Sequence, residues 1–214
     1  MNLLEIFLEN IKQHNLFNSK DKLLIAVSGG VDSVVLCELC RQGGFDFTIA
    51  HCNFQLRGKE SERDRDFVKK LADKYGVTFL VKDFETKNYA EENKISIQEA
   101  AREIRYNWFA ELINQSTNQQ INYILTAHHA NDNIETVLMN FFKGTGIAGL
   151  RGILPWQGNV IRPLLFAKKA ELISFAKGHD LEWAEDSSNL TDEYSRNYFR
   201  NQLIPVIQKN LPGS

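Results

Sequence analysis

Ser28-Gly29-Gly30-Val31-Asp32-Ser33 stands between an apolar run, Leu23–Ser28, and a helical stretch, Asp32–Gln42. Adjacent glycines permit positive φ and let a ligand approach the backbone closely. A helix starting there aims its free N–H groups and positive end at the turn, which makes the turn an anion site. Ser28 and Ser33 add hydroxyl donors. Asp32 is the odd member, because a carboxylate repels phosphate. It makes sense as a ligand holding Mg2+ between itself and the phosphates. The chain has no G-x-x-x-x-G-K-[ST], so this is not a Walker site. The plainer reading is a helix capped by Asp32 or Ser33 after a Gly-Gly turn.

Other chemistry-capable residues cluster after two further apolar runs. His51-Cys52-Asn53-Phe54-Gln55-Leu56-Arg57 follows one, and His128-His129-Ala130-Asn131-Asp132-Asn133-Ile134-Glu135 follows the other. Histidines there can contact phosphate or act as acid or base near neutral pH. Asp132 and Glu135 are three apart and so share a helix face. Cys37, Cys40 and Cys52 are the three cysteines. Cys37 and Cys40 form a CxxC flanked by Val34, Val35, Leu36 and Leu39, which reads as buried packing, and no second CxxC completes a metal site.

The spacing of apolar residues gives the elements that must position these groups. Strands are expected at Leu23–Ser28, Phe45–His51, Val77–Val81, Ile121–Ala127 and near Val160–Arg162. Helices are expected at Asp32–Gln42, Glu60–Tyr75, Ser96–Ile113, Asn133–Phe142 and Lys168–Lys177. Strands apolar on both faces, alternating with helices, imply parallel pairing with right-handed crossovers. The fold class is therefore α/β, a doubly wound, mainly parallel sheet with helices on both faces. Ligands of such sheets bind at the carboxyl ends of strands, which selects the positions after Val27, Ala50 and Thr126. Leu3, Leu4, Phe7, Leu8 and Ile11 give an amphipathic surface helix within a lead-in of residues 1–22. Residues 23–214 form the catalytic domain and the start of a helical linker, because the pattern of Leu203, Ile204, Val206 and Ile207 breaks off at Leu211-Pro212. Asn114–Asn122 is polar and reads as a solvated loop.

The chain has 214 residues, a formal net charge of −2, 43% apolar residues and 24% charged residues. These proportions suit one globular domain with its own core and exclude intrinsic disorder. The apolar runs are too short for a membrane span, and the start lacks a signal-peptide pattern. Few, unpaired cysteines suit a reducing compartment, so a cytoplasmic location is expected.

SGGxDS between strand and helix resembles the PP-loop of the N-type ATP pyrophosphatases, which split ATP between its α and β phosphates and adenylate a substrate. The ordered series of further motifs narrows this. It runs through the His51 and His128 segments, Gln98–Arg102 with Arg105-Tyr106, and Lys143-Gly144-Thr145-Gly146. Gly149–Ile153, Arg162-Pro163-Leu164, Asp186–Asn189, Arg196-Asn197, Arg200 and Pro205 complete it. From Leu23 to Pro205 the chain resembles the N-terminal catalytic domain of the tRNA(Ile)-lysidine synthetases. The resemblance implies that ATP adenylates the wobble cytidine of an isoleucine tRNA with a CAU anticodon. Free L-lysine then displaces AMP to give lysidine. ATP and Mg2+ are the implied cofactors. C-terminal tRNA-binding domains, normal in the family, are expected to be missing from this chain. Oligomeric state is not legible; a homodimer is retained as an option.

The resemblance assigns roles residue by residue. Ser28, Gly29, Gly30, Val31, Asp32, Ser33, His51, Arg57 and His128 are expected to bind ATP, with Asp32 also holding the metal. Asp32, Arg105, His129, Asp132 and Glu135 are the expected catalytic set. Arg105, with Arg57 as the second candidate, would steady charge on the α-phosphate; Asp132 would hold either metal or the ammonium of lysine, and Glu135 could serve the amine too. Lys143, Arg151, Arg196 and Arg200 are expected on a tRNA-contacting surface. Each has a plainer reading as an ion-paired helix residue, a cap or a solvated face. Trp156 and Trp183 could stack a base but read more readily as packing, and Gly144, Gly146, Gly149 and Gly152 suggest a loop that closes over substrate. Two positions depart from the family pattern: Asn131 replaces the first of two aspartates, and Phe54 replaces a histidine. The rival reading is a PP-loop tRNA thiolase, kept open by the cysteines. A small-molecule amidotransferase-type synthetase and a non-catalytic nucleotide sensor are more distant rivals.

Overall fold

The computed structural model describes residues 2–115, 121–185 and 195–210. In chain order the elements are α1 (Leu3–Gln13), β1 (Leu23–Ala26), α2 (Val31–Gln42), β2 (Phe47–Asn53), α3 (Lys59–Tyr75), β3 (Phe79–Asp83), α4 (Thr86–Asn93) and α5 (Ile97–Gln115). Then come β4 (Tyr123–Leu125), α6 (Ala130–Phe142), α7 (Gly146–Gly149), β5 (Trp156–Gln157), β6 (Val160–Ile161) and α8 (Lys169–Gly178). Short α9 (Ser195–Tyr198), a π-helical turn at Phe199–Leu203 and α10 (Ile204–Asn210) follow.

The six strands form one sheet in the order β3-β2-β1-β4-β6-β5. Every neighbouring pair is parallel except β5–β6. The direction of winding reverses between β1 and β4, which pair Leu23 with Tyr123 and Ile25 with Leu125. The crevice outside the carboxyl ends of strands at such a reversal is where ligands bind. Ser28–Ser33 follows β1 and His128–Asp132 follows β4, so both candidate segments meet there.

Alternation along β1 divides the core. Leu23 and Ile25 face a large apolar cluster with Phe7 of α1, Val34 and Val35 of α2, Val68 of α3 and Leu172 of α8. Leu24 faces a smaller one with Trp108 and Phe109 of α5. Each fully buried large side chain contributes about 1.5–3 kcal/mol, so the central strands are held from both faces. Trp183 packs against the large cluster.

Several elements differ from the sequence expectations. β3 lies two residues later than Val77–Val81, because Ile49 and Asn53 of β2 pair with Phe79 and Asp83. α6 starts at Ala130, not Asn133, with His129 as its N-cap. α4 and the two-residue β5 carry too little apolar periodicity to have been read. α5 extends through Gln115, into the segment read as a solvated loop. Among the described residues no helix is long and apolar enough to cross a membrane.

Candidate active site

Gly29 has φ +99° and donates nothing to a ladder; its carbonyl accepts the Ala184 N–H at 2.9 Å. A Cβ there would sit 3.5 Å from Ala184 and Phe67, so φ rather than space demands glycine. Gly30 is the N-cap of α2. Its N–H reaches Ser28 Oγ at 3.3 Å, and Ser33 Oγ donates to the Gly30 carbonyl at 2.8 Å. Ser33 is thus committed to the turn, whereas Ser28 is exposed.

Asp32, in the first turn of α2, does not face solvent alone. Both its oxygens lie 2.8 Å from Lys169 Nζ, at the start of α8. His129 Nε2 is 3.7 Å from Asp32 and 3.6 Å from Asp132. Asp132 also accepts the His129 backbone N–H at 3.0 Å, the capping role the plainer reading allowed. Glu135, one turn on, is 1% exposed and takes a two-pronged contact from Arg200, 2.6 Å to Nε and 3.0 Å to Nη2. Arg200 Nη2 is also 3.5 Å from Asp132. The glutamate holds the Arg200 guanidinium above its ordinary pKa. A line of polar and charged side chains therefore runs Lys169–Asp32–His129–Asp132–Arg200–Glu135, from the starts of α2, α6 and α8 to the π-helical turn. His129 is 4% exposed, and its Nδ1 has no hydrogen-bond partner among the described residues.

Arg200 was expected among RNA-facing cations. The structure inserts it into this cluster, from the π-helical turn that carries it. Lys143 and Arg151 are exposed. Arg196 lies in α9, but its side chain is outside the described residues, as is the whole of Asp186–Asn189.

His51 is 4% exposed, and its Nδ1 lies 2.8 Å from the Val27 carbonyl. That bond ties β2 to the exit of β1, and burial pushes the His51 pKa down. Arg57 pairs with buried Asp64 at 3.0 Å and with Glu60 at 3.9 Å, at the start of α3. His128 Nδ1 is 3.0 Å from Thr126 Oγ1. Arg105 lies with its guanidinium 5.1 Å from the Phe54 ring, and Phe54 stacks on Phe84 at 5.9 Å. Burial lowers the Arg105 pKa, opposed by Cys52 and Tyr106. Phe54 thus gives Arg105 an aromatic floor.

Asn131 has a different role from a carboxylate. Its Oδ1 accepts the Lys169 backbone N–H at 2.9 Å, and the Ala130 N–H donates to the Ala167 carbonyl at 2.9 Å. These bonds stitch α6 to α8. The sequence offers Lys169 only as one of the basic residues after Phe142; its pairing with Asp32, 137 residues away, follows from no spacing rule.

The glycine-rich loop is docked on α6. Asn133 Oδ1 accepts the Ile153 N–H at 2.6 Å, and Asn140 donates to the Gly149 carbonyl at 2.9 Å. Gly144–Gly149 spells G-x-G-x-x-G, but it follows a helix and not a strand, so it is no dinucleotide fingerprint. Cys37 and Cys40 are fully buried, with thiol pKa values driven up by burial, and burial pushes Cys52 up to about 12. Nucleophilic thiolates are therefore disfavoured at all three.

The chain matches the PP-loop domain family over residues 3–207. It is 46% identical over 203 residues to tRNA(Ile)-lysidine synthase of Bacteroides thetaiotaomicron, covering 95% of this chain and 47% of that protein. To tRNA(Ile)-lysidine synthase of Chlorobaculum tepidum it is 41% identical over 214 residues, covering 96% and 62%. The chain thus spans about half the length of these curated relatives. Among solved structures, the U34-tRNA thiolase of Methanococcus maripaludis superposes with a TM-score of 0.72 at 18% identity, covering 98% of this chain and 76% of that one. The NH3-dependent NAD synthetase of Campylobacter jejuni gives 0.56 at 14%, covering 98% and 85%. Both structural likenesses concern the fold alone. With SGGVDS seated at the switch point of the sheet and the match running nearly end to end, the chain belongs to the PP-loop domain family.

Proposed function

We propose that the chain ligates lysine to the wobble cytidine of a CAU-anticodon isoleucine tRNA, through an adenylated cytidine. Pyrophosphate and AMP leave, and a carbon–nitrogen bond forms. One observation carries this reading: His129 bridges the phosphate-loop carboxylate Asp32 and the carboxylate Asp132 at 3.7 and 3.6 Å. A site for phosphates and a site for an ammonium therefore share one imidazole. The curated relatives at 46% and 41% identity are lysidine synthases, which supports the same reading.

In the first step the cytidine attacks the α-phosphorus. The loop N–H groups and the positive ends of α2, α6 and α8 stabilise the developing negative charge. Mg2+, when bound with ATP, supplies shielding of the phosphate charge. Asp32 is the residue that would hold it, beside the phosphates. In the second step Asp132 and Glu135 bind the lysine ammonium, a position now taken by the Arg200 guanidinium. The amine must lose a proton before it attacks. His129 is our candidate acceptor, because its Nε2 lies beside Asp132 and its other nitrogen is uncommitted among the described residues. Lys143 and Arg151 would meet tRNA phosphates, and cytoplasmic tRNA is the substrate pool required.

The test is pyrophosphate release with CAU-anticodon isoleucine tRNA, with and without radiolabelled lysine. Label entering the tRNA is expected. D132N should retain pyrophosphate release and lose about 100-fold in lysine transfer. Pyrophosphate release with no lysine transfer in the unaltered chain would overturn the lysidine reading.

A further inference from the structure

We propose that Lys169 is an exchangeable counter-ion. It holds the cation position on Asp32 in the nucleotide-free protein, yields that carboxylate to a divalent metal, and moves to the phosphates. The proposal rests on reading the loop as an ATP site and adds a residue that the reading did not contain.

The geometry is that of a cation seated on a metal ligand. Lys169 Nζ is 2.8 Å from each Asp32 oxygen, so it occupies the carboxylate that a metal would need. Among the described residues, the other charged or titratable groups about Asp32 are His129 at 3.7 Å and, beyond it, Asp132 with Arg200. Arg200 is paired directly with Glu135 and acts on Asp32 only from a distance, so among the described residues Lys169 is the cation in direct contact with Asp32.

Exchange needs a fixed base and a free tip, and both are present. The Lys169 backbone N–H is held by Asn131, and Ala130 is bonded to the Ala167 carbonyl. Its side chain is 39% exposed and that of Asp32 26%, so water reaches the pair. A partly exposed ion pair is worth at most about 1 kcal/mol, which a divalent ion arriving with nucleotide can displace. A lysine is suited to this, being a compact point charge on a flexible stem. Once displaced, its ammonium stands at the N-termini of α2 and α8, beside the loop expected to take phosphate. Asn131 then has a function as the neutral clamp that aims Lys169. A static staple between α2 and α8 would show neither the metal-dependent labelling of Lys169 nor the loss of ATP affinity that follow.

The experiment compares K169M, K169R and the unaltered chain, with melting used to confirm folding. Mn2+ binding to nucleotide-free protein, read by electron paramagnetic resonance, should tighten about fivefold in K169M, because its competitor is gone. ATP binding in chelator should weaken about tenfold in K169M, because a phosphate contact is lost. K169R should change neither strongly. If K169M does not fold, amine-reactive labelling of the unaltered protein decides, with exposed Lys168 as reference. Saturating Mn2+ should raise labelling at Lys169, and metal-free ATP should lower it. Unchanged Mn2+ affinity in folded K169M, or unchanged labelling, overturns the proposal. Failure of the unaltered chain to bind ATP would instead overturn the nucleotide reading beneath it.

Discussion

His51 and His129 are each 4% exposed, yet their surroundings give them different chemistry. His51 is tethered to the Val27 carbonyl, and burial lowers its pKa despite the carbonyl, Asp64 and Asp83. Its native pKa lies below the unfolded value of about 6.5. As pH falls through about 6.5 the unfolded chain takes up a proton that the folded chain refuses, so stability drops and then levels off below the native pKa. Denaturant unfolding at pH 7 and pH 5 should therefore show a loss that shrinks in H51N, whose amide can still donate to Val27. An equal loss in H51N would place the acid sensitivity elsewhere. Glu38 acts lower on the scale. Burial alone would raise it, but bonds from Arg41, Gln42 and Tyr75 outweigh burial and bring it from 4.5 to about 2. Its contribution is present above pH 4.5 and fades as pH falls toward about 2. At this scale residue types were legible but partners were not. Asp32, His129, Asp132 and Glu135 announced themselves by type and spacing. The cations that neutralise them, Lys169 and Arg200, come from far along the chain.

The glycine-rich connection after α6 was read as a mobile cover, and the structure shows it docked. Gly152 has φ +64°, and a Cβ there would stand 2.1 Å from Asn133 Oδ1 and 2.8 Å from Val137 Cγ2. Gly144 has φ +67° with open space around it. G144A should thus cost only backbone strain, about 1 kcal/mol. G152A must also push the loop off α6 and break the Ile153–Asn133 bond. Limited proteolysis should cut residues 144–153 markedly faster in G152A than in G144A, with the sheet left intact. Equal cutting would mean that the bonds from Asn133 and Asn140 do not depend on this close approach. The strands and long helices were legible because their apolar period is strong. β5 and α4 were not, being set by pairing to Val160 and Ile161 and by the Thr86 hydroxyl bond to the Phe54 carbonyl.

Across the whole molecule, the switch between β1 and β4 brings the two chemical segments together, which is why strand order mattered more than any one motif. Charge is organised on the same scale. The chain is net −2, yet Thr136 to Ala170 carries Lys143, Arg151, Arg162, Lys168 and Lys169 with no acidic residue. This stretch also exposes Phe141 and Phe142 at 63% each and Trp156 at 43%. Exposed aromatics interleaved with cations are the kind of surface that single-stranded RNA uses for stacking and phosphate contact, and we propose that role for this stretch. Arg162 is buried and bonded to the Leu154 carbonyl, and Lys169 is held by Asp32. Lys143, Arg151 and Lys168 remain exposed; Lys168 caps α8, so Lys143 and Arg151 are the two proposed to meet an anticodon stem-loop. Each phosphate contact contributes about −0.7 to −0.9 to the slope of log affinity against log salt. K143E/R151E should flatten that slope by about 1.5 with an anticodon stem-loop, and should do so for any sequence of that shape. ATP binding should be unchanged, because neither residue belongs to the Asp32 cluster. An unchanged slope would move the RNA surface off this face.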